Sequence, residues 1–283
     1  MSSRKVEWRH IAFFYVTACG LFWIPFFGST LAAEGAGSGA WRTIFGIMGP
    51  YSPLIAALLT RIVIAREGIR DAHLGFRRVR WYFWLLAVAL PFFWNGIQDA
   101  AQLVLGFSDM RWAELARGLY RVPINLFGGF LIFIGEEFGW RSYLLEKLRP
   151  LGRWKALALS GVLWSLWHAP LLLLPNGIYG GGKDAAGAAT AAFVFILLGF
   201  IIGWLYLESG SVWPCVLLHS FNNLISLSLF REAWTAKVET SLLQDSLMAL
   251  GPILLVWIVL LLGGRFRTGA VPAPVSSAGT SIM

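Results

Sequence analysis

The chain has 283 residues, 57% of them hydrophobic and 13% charged, with a mean hydropathy of +0.66 and a formal net charge of +8. Soluble domains carry roughly 25% charged residues, so this composition excludes an ordinary soluble fold and indicates a membrane protein. No base-reading motif accompanies the positive charge, so nucleic-acid binding is set aside and the excess is assigned to loops facing anionic lipid.

Crossing a bilayer takes about 20 apolar residues in a helix. Such stretches recur over roughly 10–28, 43–65, 81–106, 119–140, 156–175, 186–207, 211–230 and 246–263. The first follows Arg4, Lys5 and Arg9 but runs too long for a signal-peptide core and lacks a small-residue cut site, so it is expected to stay as a helix. In the third, Asn95, Gln98 and Asp99 interrupt the apolar run, either as a second polar patch or as the outer end of a tilted helix. The fourth closes on "GEEFGWR", which holds Glu136, Glu137 and Arg141. Between the fifth and sixth, "NGIYGGGKDAAGAA" lacks the spacing of a phosphate-binding loop and reads as a flexible outer turn. The expected fold is all-α: a polytopic bundle of about eight spans forming one integral domain over 1–267, followed by a disordered tail over 268–283. Cys19 and Cys215 lie in apolar runs, are too few for a disulfide framework, and are expected to pack.

Orientation follows from Lys and Arg in short loops. The N-terminus has three, the 66–80 loop five and the 141–155 segment five, with Arg265 and Arg267 in the tail. The opposite loops are poorer, offering Arg42, then Arg111 and Arg117, then Lys183, then Arg231 and Lys237. Both termini are therefore expected in the cytoplasm, in agreement with an even span number.

Of four histidines, His10 sits at a membrane edge and His73 in a basic loop, where solvation is expected. His168 in "WSLWHAPLLL" and His219 in "PCVLLHSFNN" lie within apolar segments, where ionisable groups usually face the bundle interior. At about 1.5 Å per helical residue, Glu136, His168 and His219 stand roughly 15–20 Å from the same ends of their helices and can converge. Glu137 and Arg141 are four apart on one helix face and can pair, whereas Glu136 points about 100° away. If the helix were rotated, the two glutamates would exchange roles. Trp164 with His168, and His219 with Asn223, repeat the four-residue spacing. Taken singly, such residues are commonly structural: an ion pair, a packing histidine, an interhelical amide. Gathered on three spans at one depth, they point to a site.

The motifs "EEFGWR", "WSLWH" and "HSFNN" resemble, in order and spacing, the three motifs of the CAAX protease and bacteriocin-processing enzyme family (CPBP, or Abi), whose eukaryotic members are the Ras-converting CAAX endopeptidases. The likeness covers about 100 residues, from Glu136 to Asn223, and departs only in Trp164, where the family usually has Phe. It implies an intramembrane glutamic-type peptidase in which Glu136 is the general base, His168 its partner on the attacking water, and His219 with Asn223 the oxyanion donors. Glu137 and Arg141 match the family's accompanying pair, and Trp164 supports the site. The substrate would be a membrane-associated peptide or protein reached through a cavity open to the cytoplasm, in a bacterial or archaeal plasma membrane. No cofactor or metal is expected, and if zinc is bound its ligands are Glu136, His168 and His219, a His2Glu set. Two further alternatives stay open: a transporter using the same groups as a polar relay, and a scaffold without catalysis.

Overall fold

In a computed structural model, residues 5–31, 38–68, 79–174, 184–224 and 233–266 are described. His73, the glycine-rich stretch up to Lys183, Arg231 and the tail expected over 268–283 lie outside the described residues.

The described residues are helical nearly throughout. Helix α1 covers Trp8–Leu31, α2 Ser38–Leu59, continued by a π-helical turn over Thr60–Ala65, and α3 Trp81–Val104. Helix α4 covers Trp112–Glu137 and runs on as a π-helix over Phe138–Leu145, the short α5 (Glu146–Leu148) and a 3-10 turn over Arg149–Leu151. The remaining helices are α6 (Arg153–Trp167), α7 (Ala169–Leu173), α8 (Ala185–Ser209), α9 (Trp213–Asn223) and α10 (Leu242–Leu262).

Each of the eight expected segments contains a helix. Among the described residues, five helical stretches are long and apolar enough to cross a membrane: Trp8–Leu31, Gly39–Ala65, Trp112–Leu151, Ala185–Ser209 and Leu242–Leu262. The chain is thus an integral membrane protein. The other three segments fall short for identifiable reasons. The polar run through Asn95, Gln98, Asp99 and Gln102 dilutes α3; α6 stops at His168, two residues before Pro170; and the described part of α9 ends at Asn223.

A two-stranded ribbon, β1 (Ser108–Met110) and β2 (Trp234–Ala236), has no counterpart in the expected all-α fold. The strands pair antiparallel with Asp109 opposite Thr235, and a 2.7 Å ion pair joins Asp109 to Lys237. Three residues a strand give almost no periodic signal, so such a ribbon is invisible to a reading of hydropathy. It ties the α3–α4 connection to the α9–α10 connection. Nearby, Asp184 caps α8 by accepting from the Gly187 N–H at 2.7 Å and reaches across to accept from the Leu243 N–H at 2.9 Å.

The other end of the bundle is clasped by charges. Lys147 donates to Glu7 at 2.9 Å and also to Glu67, Arg149 pairs with Glu146 at 2.8 Å, and Arg153 pairs with Glu208. Phe266 packs against Trp154 there. Glu7 and Phe266, near the two ends of the described chain, therefore both lie at the end that carries the basic 141–155 segment.

Aromatic packing fills the centre. Trp140, Trp167, Phe14 and Tyr143 are almost wholly buried, and Phe14 meets Trp140 edge-on at 5.4 Å. Cys19 and Cys215 are free and buried, packing residues as expected. Two close approaches fix the helices that carry the motifs. A Cβ on Gly139 would lie 2.6 Å from the Pro53 carbonyl oxygen, so the π-helix is pressed against α2. A Cβ on Gly199 would lie 2.9 Å from the Gly161 Cα, so α6 and α8 touch backbone to backbone, the small-residue contact common in membranes.

Candidate active site

Glu136 and Glu137 stand where α4 passes into the π-helix, a backbone irregularity frequent at functional sites. The contacts of Gly135 and Gly139 with α2 lock the rotation of this segment, so the two neighbouring carboxylates point to different partners. Glu137 is fully buried, and its Oε1 accepts from Arg141 Nη1 at 3.1 Å and from His219 Nδ1 at 2.8 Å. Glu136 accepts from the indole N–H of Trp164 at 3.3 Å. The expected pairing of Glu137 with Arg141 is present. The contact between Glu137 and His219 was not anticipated, since it joins helices 82 residues apart in sequence.

His168 occupies the break between α6 and α7, with φ −78° and ψ −2°. Pro170 lacks an N–H and its ring crowds the carbonyl four residues back, which favours a break here, although α1, α2, α3, α4 and α10 each run through a proline. Residues in this bridge region recur in active sites. The His168 Nδ1 lies 2.9 Å from the Trp164 carbonyl oxygen. A carbonyl only accepts, so Nδ1 carries the proton and Nε2 offers a lone pair. His219 is governed by the same logic, because its Nδ1 faces a carboxylate. It serves as an oxyanion donor only when Nε2 is protonated as well.

Trp164 stands at the centre of the group. Its ring meets His168 edge-on at 4.9 Å and His219 at 5.7 Å, while the Arg141 guanidinium lies over its face at 5.0 Å. Phe133 stacks on the His219 ring at 4.1 Å. An indole here supplies what a phenyl ring in the same place lacks, an N–H for the Glu136 carboxylate.

Glu136, Trp164, His168, His219 and Asn223 all border one cavity of about 640 Å³. Asn95, Gln98 and Gln102 of α3 line the same cavity, facing Thr240, Asp245 and Ser246 at the start of α10. Asn95 and Gln98 of the third segment therefore line a vestibule continuous with the site, whereas Asp99 does not border it. The vestibule also runs toward the β1–β2 ribbon, away from the basic end, whereas the expected cavity opened toward the basic, cytoplasmic end. The reason is legible in the helix directions: Gln102 lies in the last turn of α3 and Thr240 precedes α10, and both lie at the ribbon end.

The imidazole tautomers fit a metal, since ligating histidines usually donate their other N–H to a carbonyl or carboxylate. The spacing does not. Among the described residues, only Glu7, His10 and Glu67 bring three donor atoms within 4.8 Å of one another, and Lys147 already pairs with both carboxylates of that trio. His10, expected to be solvated, bonds Glu7 at 3.2 Å.

The family described as Type II CAAX prenyl endopeptidase Rce1-like matches residues 119–225. A protein named CAAX prenyl protease 2 from Methanococcus maripaludis is 33% identical over 126 residues, which is 43% of this chain and 46% of that protein, so the likeness spans about half of the relative's length. The matched segment holds Glu136, Glu137, Arg141, Trp164, His168, His219 and Asn223 together. Residues 119–225, and with them all three motifs, are thus similar to that family.

Proposed function

We propose that the protein is an intramembrane endopeptidase of the CAAX type, hydrolysing a peptide bond in a membrane-associated peptide or protein substrate. The observation that carries this reading is the shared cavity: a carboxylate, two imidazoles with defined tautomers and a carboxamide border one polar space inside an apolar bundle. Glu136 is the base that takes a proton from the attacking water. The His168 Nε2 lone pair accepts from the same water and aims it. Asn223, with His219 when its Nε2 is protonated, faces the carbonyl oxygen as charge develops there; such a donor is typically worth about 3–4 kcal/mol. Glu137 is not free for this chemistry, because Arg141 and His219 hold it.

Cleavage of a prenylated peptide ending in a CAAX sequence by the purified, detergent-solubilised protein tests the reading. Wild type is expected to release the tail, and Glu136→Gln to lose at least about a hundredfold in kcat, the lower range for general-base catalysis. Undiminished cleavage by Glu136→Gln refutes the assignment. The second reading, a zinc ion held by Glu136, His168 and His219, is favoured by the tautomers and opposed by the spacing of the donor atoms. Loss of activity with chelator, restored by zinc, would establish it.

A further inference from the structure

Trp94 lies on α3, 2% exposed, and its indole N–H donates to Asn222 Oδ1 at 2.7 Å. Asn222 Nδ2 in turn donates to Asn223 Oδ1 at 3.2 Å. Trp94, Asn222 and Asn223 all border the cavity of the candidate site. A carboxamide has two chemically opposite ends, and nothing in its shape decides which is turned to a ligand. Here the chain of bonds decides. An indole nitrogen only donates, so Asn222 must offer it oxygen and is left with its NH2 toward Asn223. That NH2 needs an acceptor, so Asn223 turns its oxygen inward and keeps its own NH2 for a third partner.

We propose that Trp94 is a positioning residue for the reaction: through Asn222 it fixes the polarity of the Asn223 carboxamide, so that its NH2 rather than its oxygen faces the substrate's carbonyl. This inference rests on the peptidase reading above. An Asn223 carboxamide turned the other way would present a lone pair to a developing oxyanion and repel it. The α3 segment is packed along α9, with Phe92 against Phe221 at 5.8 Å, so the donor is held by the bundle and not by a loop.

The experiment uses the full chain in detergent. Trp94→Phe keeps an aromatic ring, deletes the N–H and shrinks the side chain. It is expected to lower kcat on the order of tenfold, part of what a lost oxyanion donor costs, with KM unchanged. In an Asn223→Ala background the same substitution is expected to cost nothing further, because residues acting in series do not add. A merely structural role would lower stability and activity equally in both backgrounds. An equal loss in both backgrounds, or none in either while Asn223→Ala is impaired, overturns the proposal and leaves the peptidase reading standing. A readout free of activity separates the two. Among the 15 indole signals of the ¹⁵N-tryptophan-labelled protein, the one lost in Trp94→Phe should shift in Asn222→Ala. If that signal does not move, the hydrogen bond is absent and the proposal falls, whether or not any peptide is cleaved.

Discussion

Glu137 and Glu136 are adjacent in sequence, yet they occupy opposite electrostatic situations. Glu137 and Arg141 are 0% and 1% exposed, and removing one member of such a buried pair leaves an uncompensated charge at a cost of about 3–5 kcal/mol. Glu137→Gln is therefore expected to lower the melting temperature in detergent by several degrees, while Glu136→Gln, whose carboxylate borders the cavity, leaves it nearly unchanged. Comparing the two melting curves checks the division of labour, and equal destabilisation would contradict it. Trp164→Phe tests the adjoining contact: it removes the indole N–H from Glu136 at 3.3 Å and retains a ring between the two imidazoles. A kcat reduced a few-fold with an altered pH profile is the expected result, read from rates across pH. At this scale the sequence was informative wherever spacing along one helix decided the matter, as for Glu137 with Arg141. It was silent on the bond from His219 to Glu137 and on Asn222, because both depend on how distant helices face each other.

Helix contacts set the positions of these residues. The π-helix over Phe138–Leu145 keeps its register against α2 only because Gly139 has no side chain. Gly139→Ala would force α2 and the π-helix apart or turn Glu136 away from the cavity; overpacking of this kind costs about 1–3 kcal/mol. The expected outcome is a lower melting temperature together with a kcat loss larger than that of Gly20→Ala, where a Cβ meets nothing within 4 Å. The same junction was readable in advance only as "helix continues", since a π-turn differs from an α-turn by one residue and leaves no hydropathy signature. The break at His168 likewise fell inside a segment expected to run unbroken over 156–175. At the basic end the clasp between α1 and the 141–155 segment adds a pH dependence. The Lys147 ammonium, hydrogen-bonded to Glu7, holds that carboxyl below the usual glutamate range. A lowered carboxyl contributes stability at pH above its unfolded value, near 4.3, and the contribution is lost as pH falls through the lower folded value. Glu7 is 50% exposed, so water screens the pair and the effect is small. The melting temperature of wild type should slightly exceed that of Glu7→Gln at neutral pH, with the gap closing below about pH 4.

For the molecule as a whole, two observations bear on which side of the membrane the site addresses. Lys and Arg concentrate at the end where Glu7 meets Lys147 and Phe266 meets Trp154, and short basic loops stay in the cytoplasm. The vestibule, however, is lined by Gln102 and Asp245 at the ribbon end. Hydropathy placed a helix in each expected segment, but the direction of a cavity depends on which helix halves diverge, and no residue count carries that. If the charge rule governs this chain, the vestibule faces away from the cytoplasm and substrate enters from that side. Single cysteines at Gln102, at Asp245 and, as a reference for the basic end, at Arg265 can be labelled in intact cells with a membrane-impermeant maleimide, in a background where the buried Cys19 and Cys215 are replaced by serine. The first two are expected to react from outside and the third only after the membrane is permeabilised. Reaction of the Arg265 site in intact cells, with Gln102 and Asp245 protected, would show that the chain is inverted against its charge and that the vestibule opens to the cytoplasm. Reaction of all three from one side would mean that the ribbon and the termini do not lie on opposite faces, and the helix directions that place the vestibule would have to be redrawn.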